Sequence, residues 1–199
     1  MKKLIAAFLL AAAPFVASAQ VTDAVTSDGF GLNLVYPAVH VRNVAAEDAI
    51  NKDIKMYVRD LVSLYQDGTE KEVYMMYDRH YEDANIVSLV MESIVLRPSM
   101  ANGERRVWGA TYNKLSGDLL RMSRFTKPIS DATVIKGLKE GTLSLYDLDG
   151  KKLKYDPFFT PVKTERCFFL LGKNKLALLY QQGELAPYAD GATYVAIDL

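Results

Sequence analysis

The segment Tyr180-Gln181-Gln182-Gly183-Glu184-Leu185-Ala186-Pro187-Tyr188-Ala189-Asp190-Gly191 constrains the chain more than any other part of it. It stands between two apolar runs, residues 176–180 and 192–197. Pro187 fixes its own φ and turns Ala186 away from helix. Gly183 and Gly191 supply the backbone angles that sharp turns need. The stretch therefore joins two late strands over an edge of the domain and acts first as a structural lock, through Pro187, Tyr188 and Gly191. In that role Tyr188 is expected to be mostly buried, its hydroxyl bonded to a backbone group that the turn leaves unpaired. As a secondary role the same edge offers Tyr180, Glu184 and Tyr188 as candidate binding residues, because aromatic rings with polar tips suit interfaces as well as corners.

Periodicity sets the other elements. Ile50, Ile54, Tyr57, Val58, Leu61 and Tyr65 recur at helical spacing behind the N-cap Asn43, and Gly68 stops the run. This predicts an amphipathic helix over about 46–65. Residues 31–41 read as a strand broken or bulged at Pro37. Residues 73–82, 86–96 and 107–115 read as three antiparallel strands, with 86–96 central because apolar residues fall on both of its faces. An extended segment follows at 119–125. Ser130-Asp131 opens a second, shorter helix over about 131–146, weakened by Gly141. Residues 166–171 and 176–180 bracket a hairpin loop, and 193–197 form the last strand. The fold class is α+β: a mostly antiparallel sheet with both helices packed on it, in one domain over 31–199 after a loose leader at 20–30. No internal repeat or low-complexity block interrupts it.

The chain start reads as an export signal. Lys2 and Lys3 precede an apolar run over residues 4–16, and Ala17-Ser18-Ala19 is a small-residue cleavage site, so residues 1–19 form a secretory signal peptide. The run is shorter than the roughly 20 residues of a spanning helix. The protein is expected in the periplasm or outside the cell, and not membrane-spanning once the signal is cleaved.

Charge excludes some partners. The 24 basic residues balance the 24 acidic ones, and loss of Lys2 and Lys3 leaves a slightly acidic chain. That balance gives no electrostatic case for nucleic acid or an anionic membrane. The single cysteine, Cys167, has no internal disulfide partner and sits in an apolar run as a small hydrophobe.

Candidate chemistry is sparse. Asp78, His80 and Glu82 alternate, so in a regular strand they share a face and could hold a metal; a solvated strand face is the plainer reading. Asp147, Asp149 and Gly150 begin like a calcium loop but lack its later ligands, which leaves a turn. His40 has no evident sequence partner. The motifs of serine, cysteine and zinc hydrolases are missing, so no catalytic residue, metal or cofactor is assigned. Tyr74, Met75, Met76, Tyr77 and Tyr81 make an adaptable strip in which core packing accounts for alternate positions.

The pattern Glu184-Leu185-Ala186-Pro187-Tyr188-Ala189-x-Gly191 ahead of a final strand resembles the C-terminal signature of a bacterial extracytoplasmic domain of unknown function, DUF3298 (RsiV-like). That domain occurs in a lysozyme-sensing anti-sigma factor and beside a deacetylase domain. Val35-Tyr36-Pro37, Ala49-Ile50-Asn51-Lys52-Asp53-Ile54, Ile86-Val87-Ser88-Leu89 and Leu115-Ser116-Gly117-Asp118-Leu119-Leu120 match other pieces in the family's order. One departure stands out: where relatives carry Gly-Ala-His, this chain reads Ser99-Met100-Ala101-Asn102-Gly103-Glu104. The resemblance implies an exported, sensor-like binding module for an extracellular protein such as lysozyme or for a wall glycan. The alternative is an enzyme or accessory domain acting on envelope polysaccharide. Mass spectrometry of the exported protein should find Gln20 at its N-terminus; an intact Met1 would refute the export reading.

Overall fold

The computed structural model describes residues 19–98, 103–161 and 167–199. All of the expected export signal except Ala19 lies outside them, as do Arg166 and residues 99–102. Among the described residues, ten strands form two five-stranded sheets. The first runs β1 (Gln20–Ser27), β2 (Leu32–His40), β3 (Glu72–Glu82), β4 (Ile86–Leu96), β5 (Glu104–Asn113) in that order. The second runs β7 (Lys152–Leu153), β6 (Leu145–Asp147), β10 (Thr193–Asp198), β9 (Lys175–Tyr180), β8 (Cys167–Gly172). Pairing is antiparallel except for a short parallel contact of β2 with β3 at Leu32–Leu34. The α+β class holds, with the strands divided between two sheets rather than gathered in one.

The division follows from which faces are apolar. Helix α1 (Val44–Gln66) buries Ala46, Ile50, Ile54, Val58 and Leu61, the face that periodicity predicts. These residues pack with Val87, Leu89 and Met91 of β4 and with Ala110 and Tyr112 of β5. The Asn43 side chain caps α1 at Ala45 and Ala46 N–H. Tyr112 is fully buried and donates its hydroxyl to Asp53 at 2.8 Å, pinning helix to strand. The opposite face of β4 and β5 presents Val90 and Val107 to Phe169, Leu179 and Tyr194 of the second sheet. The second sheet's far face, including Phe168, Leu170, Leu178 and Val195, takes Val134 and Leu138 of helix α2 (Asp131–Glu140). Four layers result: helix, sheet, sheet, helix. β4 and β8 are apolar on both faces because both lie between two layers.

Several elements differ from the sequence reading, for local reasons. α2 ends at Glu140 and not near residue 146. Gly141 adopts φ 72, and its N–H turns back to the carbonyls of Gly137 and Leu138. Residues 145–147 then pair as a strand with β10. Residues 20–27 of the expected loose leader form β1, paired in register with residues 33–40 of β2. β2 itself is unbroken at Pro37, which sits opposite Asp23. Two residues on, Val39 gives its N–H and C=O to the Asn51 side chain, at 2.9 and 2.8 Å. Pro37 shares that orientation along the strand, so the donor it lacks would have pointed away from β1.

The two sheets meet at β8, which touches β3, β4 and β5. Gly109 of β5 lies so close to β8 that a Cβ built there would stand 2.4 Å from the Phe168 carbonyl oxygen. Gly109→Ala should therefore force the sheets apart and lower stability by about 1–3 kcal/mol or more. Gly172→Ala is the control, since nothing stands within 4 Å of a Cβ there; equal denaturation midpoints for the two variants would refute the contact.

Candidate functional site

The late-chain stretch docks on the open edge of β5. Gln181 gives its carboxamide oxygen to the Val107 N–H at 2.9 Å and its NH2 to the Val107 carbonyl at 2.8 Å. Gln182 accepts from the Arg105 N–H at 3.0 Å and donates to the Tyr188 carbonyl at 2.7 Å. Two side chains thus stand in for a sixth strand and blunt an edge that would otherwise expose its backbone. Glu184 accepts from the Gln181 N–H at 2.7 Å and holds the turn. Leu185 and Ala186 are buried beneath it. Gly191 takes φ 72, as the sequence demands of a turn residue.

Tyr188 does not behave as expected. It is 48% exposed, and its hydroxyl makes a long 3.4 Å bond to the Gly103 carbonyl. It lies on a single turn of 3-10 helix, Tyr188–Asp190, which turns the ring out towards β5 instead of in. Tyr180 is buried among the α2-facing residues of the second sheet and does not line the groove that the other two candidates share. Glu184 and Tyr188 do come together, along one groove.

That groove, of about 610 Å³, follows the β5 edge. Tyr57 of α1 and Trp108 of β5 form one wall, their ring centroids 5.2 Å apart. Cys167, half-buried, and Leu179 form the other wall, with Gln182, Glu184 and Tyr188 closing one end. Tyr57 shares a hydrogen bond with Ser93 at 3.0 Å. Burial pushes its phenol above the ordinary tyrosine range, so it stays neutral. At the mouth, Arg106 holds Glu104 in a two-pronged pair at 3.0 and 3.2 Å. That pair lowers the Glu104 carboxyl below its usual value and raises Arg106. Arg97 links Glu104 to Glu70, a buried carboxylate, at 3.4 and 3.3 Å. Arg105 pairs with Glu92 at 3.1 Å on the other face of the strand. Sequence reasoning found the loop but missed Tyr57, Trp108 and the arginines. The chain's single tryptophan, on the strand expected over 107–115, was the available signal.

The other sequence candidates disperse. A β-bulge at His80 shifts the β3 register, so Asp78 sits opposite Val90 while Glu82 sits opposite Val87. Those two β4 positions are on opposite faces, so the expected shared face does not exist. His80 packs its ring on Phe169 at 4.3 Å, and burial lowers its pKa. Glu82 pairs with Arg79 and with buried Lys114 at 2.9 and 2.8 Å. Asp147 and Gly150 make the turn between β6 and β7, Asp147 accepting from the Lys151 N–H. His40 meets Glu47 at 3.3 Å. Met75 is buried and Met76 about half exposed, as alternation requires. Of the place of the Gly-Ala-His segment, residues 99–104, the first four lie outside the described residues.

Gln181→Leu removes both bonds to buried Val107 and should cost about 1–3 kcal/mol. Gln181→Glu keeps the acceptor but sets a carboxylate oxygen against the Val107 carbonyl, so it should destabilise as well; a wild-type midpoint for either variant in a denaturant titration would contradict the edge-capping role.

No protein-family model and no curated protein matches this sequence. Solved structures do. A DUF3298 family protein from Pseudomonas aeruginosa PAO1 is similar with a TM-score of 0.59 at 12% identity, over 90% of this chain and 88% of that one. A DUF3298 family member from Bacteroides fragilis NCTC 9343 is similar with a TM-score of 0.51 at 12% identity and the same coverage. Among the described residues no helix is long and apolar enough to cross a membrane. Over nearly all of its length, this chain has the fold of a DUF3298 domain.

Proposed function

We propose that this protein is an exported binding module of the cell envelope, and that the groove along β5 is its ligand surface. One observation carries the reading: Tyr57, Trp108 and Tyr188 line a concavity at a sheet edge already closed to strand addition by Gln181 and Gln182. An edge blocked in this way offers side chains for recognition, not a backbone ladder. Aromatic rings and an arginine at such a site are the usual anchors of protein interfaces. Among the described residues, no histidine lines the groove beside Cys167. The ligand class that fits is an extracellular protein such as lysozyme, or a wall glycan.

Trp108 is the only tryptophan, so its fluorescence reports occupancy of the groove. Titration with fluorescently silent peptidoglycan fragments should shift its emission saturably, and lysozyme should be retained by the immobilised protein. Tyr188→Ala should weaken whichever ligand binds at least tenfold while leaving the melting temperature within about 2 °C, because the side chain is about half exposed and held by one long bond. If neither ligand binds, or if Tyr188→Ala binds as well as wild type, the reading fails.

A further inference from the structure

A second concavity of about 790 Å³ lies between α1 and the outer hairpin β1–β2. It shares no lining residue with the Trp108 groove. One wall is α1, where Lys52, Lys55 and Arg59 follow at i, i+3 and i+7 and so occupy one stripe. The other wall is Tyr36, Pro37 and Ala38 of β2. The ring of Tyr36 is steadied by a 3.4 Å bond to Thr26.

The three cations are exposed, and none forms an ion pair within 4.0 Å among the described residues. Two carboxylates share the lining, both towards the helix start. Glu47 is already engaged by the Val41 N–H and His40. Asp48 lies one turn before Lys52 and does not reach it. Lys55 and Arg59 stand four apart, a spacing at which like charges disfavour an isolated helix. The trough is thus polarised, with its basic end uncompensated in a chain whose overall charges cancel.

We propose that this trough binds an acidic polysaccharide carrying a carboxylate on each sugar unit. The stripe advances by about 4.5 and 6 Å along the helix axis, so it presents a row of charges instead of one focus, which suits a polymer over a single small anion. Each basic side chain pairs with an acid group, Arg59 in two-pronged fashion. The Tyr36 ring supplies an apolar wall for the faces of the sugar rings. The surface is solvent-exposed, so the attraction is short-ranged and weakens with salt.

Calorimetric titration of the purified protein with oligogalacturonate tests this. Saturable binding that weakens from low to physiological salt is expected. The triple variant Lys52→Glu, Lys55→Glu, Arg59→Glu should lose at least tenfold in affinity, and the triple glutamine variant an intermediate amount. Both should keep the wild-type melting temperature and the Trp108 response, which separates this proposal from failure of the groove reading. Undetectable binding, full retention by the glutamate variant, or equal binding of a neutral oligosaccharide would overturn it. Equal binding of inorganic tripolyphosphate would also overturn it, by showing a general anion surface with no preference for sugar acids.

Discussion

The edge of β8 is buried, and the rest of the structure depends on how that burial is made tolerable. An unpaired strand edge inside a protein leaves N–H and C=O groups dry, at a cost comparable to a lost hydrogen bond each. Here β8 lies across the face of the first sheet. Its Leu170 N–H is taken by the Ser88 hydroxyl at 2.9 Å, and Ser88 in turn meets Thr111 at 2.8 Å. Both hydroxyls are fully buried, on the faces that carry Val90 and Val107. Gly109 removes the one side chain that would hold β8 off. Two small hydroxyl residues and a glycine thus let a strand edge serve as a layer contact. That contact brings the two halves of the chain together and places the late loop beside β5.

A second device recurs twice in the first sheet, on the edge strand β5 and on the part of β2 beyond its short pairing with β3. Asn51 pairs with the backbone of Val39 on β2, and Gln181 pairs with the backbone of Val107 on β5. A carboxamide carries the same donor and acceptor as a peptide unit, so one side chain replaces one residue of a neighbouring strand. Both substitutions protect an edge without adding a strand. At β5 the exchange has a functional consequence: the space a sixth strand would fill becomes a groove with aromatic walls. At β2 it leaves α1 free to turn a basic stripe towards the hairpin.

Charge reinforces the same geometry. The Glu70–Arg97–Glu104–Arg106 chain ties the segment after α1 to the β4–β5 end and sets the groove's mouth. At the other end of the sheet, Lys114 is buried but donates to Glu82 and to the Asp83 carbonyl. Buried charges of this kind persist only when paired and hydrogen-bonded. The β-bulge at His80 rotates Glu82 into that partnership, which is why Glu82 leaves the apparent Asp78–His80–Glu82 triplet while Asp78 stays 3.8 Å from His80.

What the sequence determined by itself was local. The α1 face, its Asn43 cap and the span of β4 follow from the 3.6-residue and two-residue periods of apolar side chains, and the need for positive φ at Gly191 follows from the turn around Pro187. The family's fold was legible in the order of short motifs from Val35-Tyr36-Pro37 to Glu184-Leu185-Ala186-Pro187-Tyr188. Only the tertiary structure decided that there are two sheets, because burial on both faces of β4 does not say which layer covers which face. It alone paired residues 20–27 with β2, since a polar edge strand carries little apolar signal. It also turned Tyr188 outward and Tyr180 inward, and set Trp108 beside Tyr57. Those outcomes rest on contacts between residues far apart in the chain, where a single glycine at 109 or glutamine at 181 determines which surfaces can meet.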